Sequence, residues 1–169
     1  MPLPLLLLPL LLFACVSCSL NQPQQPLTLA VTRLIDSAPL FVAYEKGFLG
    51  RHGFSARLEL HDTGREALES ALAGRSDFAT VADYPLARAA VEGKPAVVVA
   101  TVSMNPEVMK LVTREGITTP TDLRGKKVGV TAGTSGDFFL DGMLVMNLLP
   151  ASAVSRVNLP PPALVDAVA

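Results

Sequence analysis

From Leu27 onward, short runs of β-branched and aliphatic residues alternate with longer stretches in which apolar positions recur every three or four residues. The first pattern suits a strand and the second one face of a helix, so the alternation predicts an α/β chain built on a parallel sheet. Leu27 to Arg33 reads as the first strand. It is followed by Asp36-Ser37-Ala38-Pro39, a polar cap and a proline suited to a first helical turn, and by a helix ending at Gly47. Arg57 to His61 reads as the second strand. Thr63-Gly64-Arg65-Glu66 then spells a capping box, in which the Thr63 hydroxyl accepts from a first-turn amide while Glu66 reaches back, and it opens a helix ending near Gly74. Asp77 to Ala82 is expected as the third strand, and Tyr84-Pro85 as the start of a helix that closes at Gly93. Ala96 to Val102 is expected as a fourth strand, apolar throughout and therefore placed in the buried middle of the sheet.

The rhythm changes after Val102. Ser103 to Glu107 is polar and contains Asn105-Pro106, a turn signal, and the boundary between two lobes is placed there: residues 27–105 form the first and 106–169 part of a second. Met109 to Thr113 reads as a strand. Thr119-Pro120-Thr121-Asp122 starts a helix, with Thr119 as cap, Pro120 at the first helical position and Asp122 near the positive helix end. A strand at Lys127 to Thr131, a glycine-rich turn at Gly133 to Asp137, a helix at Phe138 to Leu149 and a strand at Ser155 to Leu159 follow. Pro160-Pro161-Pro162 begins a last helix that meets no stop signal, so the second lobe is expected to be incomplete in this chain and, with an open sheet edge, a poor folding unit.

Ahead of these elements, Leu3 to Phe13 is apolar, interrupted by Pro4 and Pro9, and too short to cross a bilayer as a helix; it reads as an export signal. Leu12-Phe13-Ala14-Cys15 and Cys15-Val16-Ser17-Cys18 both resemble a bacterial lipobox, whose cysteine is lipidated. Val16-Ser17 favours Cys18, and Cys15 is the alternative. The same spacing spells C-x-x-C, but a redox motif requires a strand-to-helix context, whereas this pair ends a hydrophobic signal. Residues 1–18 are therefore expected to be a lipoprotein-type signal and residues 19–26, rich in Gln and Pro, a flexible tether. No Lys or Arg precedes Arg33, which leaves only the α-amino charge to orient the signal.

Composition then removes several classes. Of 169 residues, 17% are charged and the formal charge is −1, with no basic cluster interleaved with aromatics, so nucleic acid is not an expected partner. With two histidines and two cysteines, no converging set of metal ligands is expected, and no cofactor is implied. Neither a G-x-S-x-G elbow nor a P-loop occurs. His52, in Gly50-Arg51-His52-Gly53, reads as part of a solvated turn; His61, at a strand end, is the one acid/base candidate.

The chemistry is concentrated at loops. The strands expected to finish at Arg33, His61 and Ala82 each run into a polar loop that opens a helix, and loops at the carboxyl ends of parallel strands share one edge of a sheet. Amides of the first helical turns point into that crevice and can hold an oxyanion or other acceptor without a basic side chain. Gly133-Thr134-Ser135-Gly136-Asp137 would face them from the second lobe, its glycines permitting close approach and Thr134 and Ser135 adding hydroxyls. Taken singly, the Gly133 loop is equally well an ordinary capped strand-to-helix turn, and the Thr63 and Thr119 boxes are more often plain caps than ligand contacts.

Order and spacing add a resemblance. The blocks Pro39-Leu40-Phe41-Val42-Ala43-Tyr44-Glu45-Lys46-Gly47-Phe48-Leu49, Gly74-Arg75-Ser76-Asp77-Phe78-Ala79 and Asp122-Leu123-Arg124-Gly125-Lys126-Lys127-Val128-Gly129-Val130 resemble successive blocks of the nitrate/sulfonate/taurine-type solute-binding proteins of ABC importers. The resemblance spans about Leu27 to Ala169. It implies a type II periplasmic-binding-protein-like fold, two α/β lobes joined by a hinge, with a small solute trapped between them and a membrane permease as partner. Carried over by position, its binding loops place Ser37, Ala38, Pro39, Thr63, Gly64, Asp83, Thr134 and Ser135 at the ligand. Asp83 would repel a small oxyanion unless a cationic part of the ligand meets it, so a ligand with donors and acceptors is as compatible as nitrate or a sulfonate. The resemblance further implies a monomer in the periplasm or, lipid-anchored, on the outer face of the cytoplasmic membrane. Two other classes use the same fold: cytosolic enzymes of cofactor biosynthesis, which export argues against, and receptors that present a ligand to a sensor kinase.

Overall fold

The computed structural model describes residues 25–105 and 109–168. Cys15, Cys18, the signal and most of the tether lie outside the described residues. Leu27–Thr32 (β1) runs through the centre of a three-stranded parallel sheet in the order β2-β1-β3, where β2 is Ala56–His61 and β3 is the short Phe78–Ala79. β1 pairs with β2 from Leu27↔Ala56 to Thr32↔His61 and with β3 from Leu29↔Phe78 to Ala30↔Ala79. Every residue of β1 after Leu27 is buried, the pattern of a central strand covered on both faces.

Four helices accompany this sheet: α1 (Ala38–Glu45), α2 (Phe48–Arg51), α3 (Gly64–Leu72) and α4 (Asp83–Val91). Between α1 and α2 the chain turns at Gly47, whose φ of +67° is a backbone state that glycine adopts without strain. α3 packs on β1, β2 and β3. Its Ala67 and Leu68 and the Ala89 of α4 belong to the core with Leu29, Ala30 and Val31.

A polar cluster sits on the outer strand of the sheet. The hydroxyls of Ser70 and Ser76, both buried, donate to Glu59 Oε1 at 3.1 Å and Oε2 at 3.0 Å. Hydrogen bonding from Ser76, then from Ser70, together with the neighbouring His61, holds the Glu59 carboxyl below the ordinary glutamate range against the opposing effect of its burial.

A second unit pairs β4 (Lys127–Val130) with β5 (Ser155–Asn158) in parallel, flanked by α5 (Ser135–Met146) and α6 (Pro161–Val168). Leu123, Val128, Val130, Leu140, Leu144, Leu149, Ala153 and Val154 form its core. Arg156 ties β5 to α5 through Asp137, at 2.8 Å, and Asp141. The architecture is thus α/β, with two small parallel sheets.

Two expected strands are not formed. Ala96–Val102 and Met109–Thr113 pair with no strand among the described residues, and Val97, Val98 and Val99 are exposed rather than central. An apolar composition alone does not place the first segment in a core. β-propensity describes fitness for a pleated, half-buried surface, and without a neighbouring strand it does not make one. The third strand is shorter than expected for a related reason: after Ala79 the Thr80 amide still donates to the Ala30 carbonyl at 2.9 Å, but its side chain turns to the crevice.

Candidate functional site

The carboxyl ends of β1 and β3 meet in a network of hydroxyls. Thr32 and Ser37 share a hydrogen bond between their hydroxyls at 2.7 Å, Ser37 Oγ donates to Thr80 Oγ1 at 3.3 Å, and the Thr32 amide donates to Thr80 Oγ1 at 3.0 Å. Ser37 is only 2% exposed. Its hydroxyl therefore braces the floor of the crevice instead of standing free in it. Thr32 and Thr80, which complete the network, were not singled out from the sequence. A threonine at a strand end reads as β-propensity, and only the geometry reveals its partner.

Thr63 and Gly64 adjoin this floor. Thr63 is buried, and the capping box forms as expected: the Glu66 amide donates to Thr63 Oγ1 and the Thr63 amide to Glu66 Oε2, each at 3.1 Å. Gly64 lies against the loop after β3, where a Cβ would come within 3.2 Å of Val81 Cα and 3.3 Å of the Ala82 nitrogen. Its lack of a side chain is thus explained by loop packing as well as by access for a ligand. Asp83 opens α4, exposed, with Ala82 as the cap; Ala38 and Pro39 open α1, with Pro39 in the first turn. Ser37, Thr63, Gly64 and Asp83 thus gather around Thr80 and the loop that follows it.

From the other unit, Thr134 and Ser135 stand at the start of α5. The Thr134 hydroxyl donates to the Thr131 carbonyl at 2.7 Å, and the Gly133 amide donates to Asp137 Oδ2 at 3.0 Å, so the glycine loop is braced from within. First-turn amides of α3 and α5, among them those of Gly64 and Ser135, have no acceptor inside their helices, as the geometry of any helix start requires. The two units touch beside these loops. Tyr84 of α4 stacks on Phe138 of α5 with ring centroids 4.7 Å apart and planes inclined by 17°. The aromatic pair was not legible in the sequence, because its members lie in different units and neither belongs to a motif.

His61 takes a different place. Its Nε2 is buried 3.0 Å from Glu59 Oε1, though without the alignment of a hydrogen bond, and so it belongs to the polar cluster on β2. His52 caps the end of α2 and is exposed.

Solved structures share this fold. The alkanesulfonate-binding protein SsuA from Xanthomonas axonopodis pv. citri, bound to MOPS, matches with a TM-score of 0.68 and 18% identity over 87% of this chain and 52% of its own. The periplasmic aliphatic sulphonate binding protein SsuA from Escherichia coli matches with a TM-score of 0.62 and 20% identity, over 85% of this chain and 50% of its own. The fold is therefore that of these periplasmic binding proteins, over about half of its extent. Among curated sequences, a protein of Brucella abortus (strain 2308) and one of Brucella suis biovar 1 (strain 1330), each named as a binding protein, are 30% identical over 125 residues, 68% of this chain. The chain spans 38% of the length of these relatives. Residues 35–168 match the model of the NMT1/THI5-like family, and with most of its length inside that match the chain belongs to this family.

Proposed function

We propose that this chain is the solute-capturing component of an ABC importer, working outside the cytoplasm and taking a small polar or anionic solute between its two units. The observation that carries the reading is the convergence of Ser37, Thr63, Gly64 and Asp83 around Thr80, with Thr134 and Ser135 on the adjoining unit. Buried hydroxyls make such a floor rigid, and free first-turn amides supply donors without a fixed charge, which suits capture and release. A role in binding rather than catalysis agrees with His61, which lies against Glu59 and not at the hydroxyl network. The relatives and the proteins with this fold that are named above are binding proteins, which supports the same reading.

In this proposal the first lobe is residues 27–105, the second begins at 106, and a monomer delivers the solute to membrane permease subunits. Lipid on Cys18, with Cys15 as the alternative, holds it at the outer face of the membrane. Thermal-shift screening against sulfonates, nitrate, pyrimidines and amino-acid-like solutes tests the binding role: at least one solute stabilises the chain saturably, and a flat response across all four classes contradicts it. Palmitate labelling of Cys15→Ser and Cys18→Ser cells tests the anchor. Label is lost with one of the two changes, and retention in the double variant contradicts lipidation.

A further inference from the structure

The two units share no strand pairing: β1, β2 and β3 form one sheet, β4 and β5 another. They meet where α4 of the first packs on α5 of the second. The contact lies at the first turns of both helices, where Tyr84 and Phe138 stack at 4.7 Å with their planes inclined by only 17°, a separation that offset rings adopt. Beside the rings, the Gly133 loop rests on side chains of the first unit. A Cβ on Gly133 would lie 3.1 Å from Arg65 Cδ and 3.5 Å from Arg88 Nη1, so the absence of a side chain lets the loop seat there. Arg65 and Arg88 make their ion pairs within the first unit, with Glu69 and Glu92, and meet the loop as packed surfaces.

These contacts fix the crevice in space. Ser135 and Phe138, three residues apart on α5, share a face of that helix, and Tyr84 and Arg88, four apart on α4, share another. Because each helix moves as a rigid rod, parting the rings carries Thr134 and Ser135 away from Thr63, Gly64 and Asp83. Phe138 remains 56% exposed and Tyr84 is partly buried, so the stack is a rim contact, able to bias the units and able to reopen.

We propose that Tyr84 and Phe138 form a clasp that joins the two units without any solute and sets the crevice loops of one opposite those of the other before capture. A binding form that is populated in advance escapes the loss of apparent affinity that a rare one carries. That consequence rests on the solute-capture reading; the clasp itself does not.

Double electron–electron resonance on the full chain with no solute added tests this, with nitroxides on Arg75→Cys and Ser152→Cys, exposed positions of the first and second unit, and with Cys15→Ser and Cys18→Ser as background. One short distance dominates in the labelled parent and in Tyr84→Phe, which keeps the ring. Tyr84→Ala and Phe138→Ala each lower the ratio of that distance to longer ones about three- to tenfold, and the double variant lowers it no further than either alone. Phe54→Ala, which removes an exposed ring at the opposite edge of the first sheet, changes nothing. A broad distribution in the parent, or one that neither alanine substitution alters, overturns the clasp, and so do independent, additive effects of the two. Circular dichroism establishes that the variants are folded. If Tyr84→Ala is not, Phe138→Ala decides, and loss of fold in both makes the rings core residues and overturns the clasp as well. Each of these outcomes leaves solute capture to be judged by its own titrations.

Discussion

The hydroxyl of Ser37 has no route to solvent and two partners inside the protein, so its removal acts first on the fold. Ser37→Ala leaves Thr32 and Thr80 short of a buried partner and is expected to cost about 1–2 kcal/mol, read from the urea midpoint. Unchanged stability would show that the network is not formed. Glu59 makes a prediction in pH. Its carboxyl titrates below its ordinary value of 4.5 in the folded chain, chiefly because Ser76 donates to it, so its contribution to stability is present above that value and is lost as pH falls through the lowered one. Ser76→Ala therefore flattens the acid side of a stability profile taken from neutral pH to about pH 3. An acid limb identical to that of the wild type would contradict this. At this scale the sequence revealed residues with a local signature, such as Thr63 with Glu66 three positions on. It did not reveal Thr32, Thr80 or Phe138, each of which has a partner distant in the chain.

Helix boundaries were legible where caps and glycines mark them, and strands where a neighbour exists to pair with. α3 starts at Gly64 behind the Thr63 box, and α4 begins at Asp83, one residue before the expected Tyr84-Pro85. Ala96–Val102 shows the limit: its seven residues carry the composition of a central strand, yet pairing depends on a partner that local pattern does not specify. The end of α5 holds a conflict of its own. Leu148 has a φ of +55° and is 90% exposed, while the Leu149 amide donates to the Leu144 carbonyl at 2.8 Å, as in a Schellman turn that favours glycine at this place. Leu148→Gly relieves that backbone strain and loses little packing, so a gain of about 0.5–1 kcal/mol is expected despite glycine's larger unfolded-state entropy. A lower melting temperature would show that the leucine contributes contacts outweighing the strain.

For the molecule as a whole, the exposed valines after α4 matter most to behaviour in solution. Val97 is 87% and Val99 72% exposed in an uncharged, β-branched stretch whose backbone pairs with no strand among the described residues, the kind of segment that seeds edge-to-edge association. The double substitution Val97→Lys and Val99→Lys is expected to raise the concentration at which light scattering begins while leaving the melting temperature within about 1 kcal/mol equivalent of the wild type. Loss of fold in this variant would show that the segment is part of a core. The division into two small parallel sheets followed from the alternation of patterns, whereas their meeting at Tyr84 and Phe138 is a property of the folded molecule alone. The central claim is that a solute is held where these units meet, between the network on Thr80 and the loop at Gly133. Amide chemical-shift mapping of the ¹⁵N-labelled chain during titration with MOPS, the molecule bound in the Xanthomonas relative, tests it most directly. The account predicts saturable shifts concentrated at Ser37, Thr63, Gly64, Thr134 and Ser135; shifts confined to residues away from these loops, or none at saturating MOPS and at saturating ethanesulfonate, would contradict it.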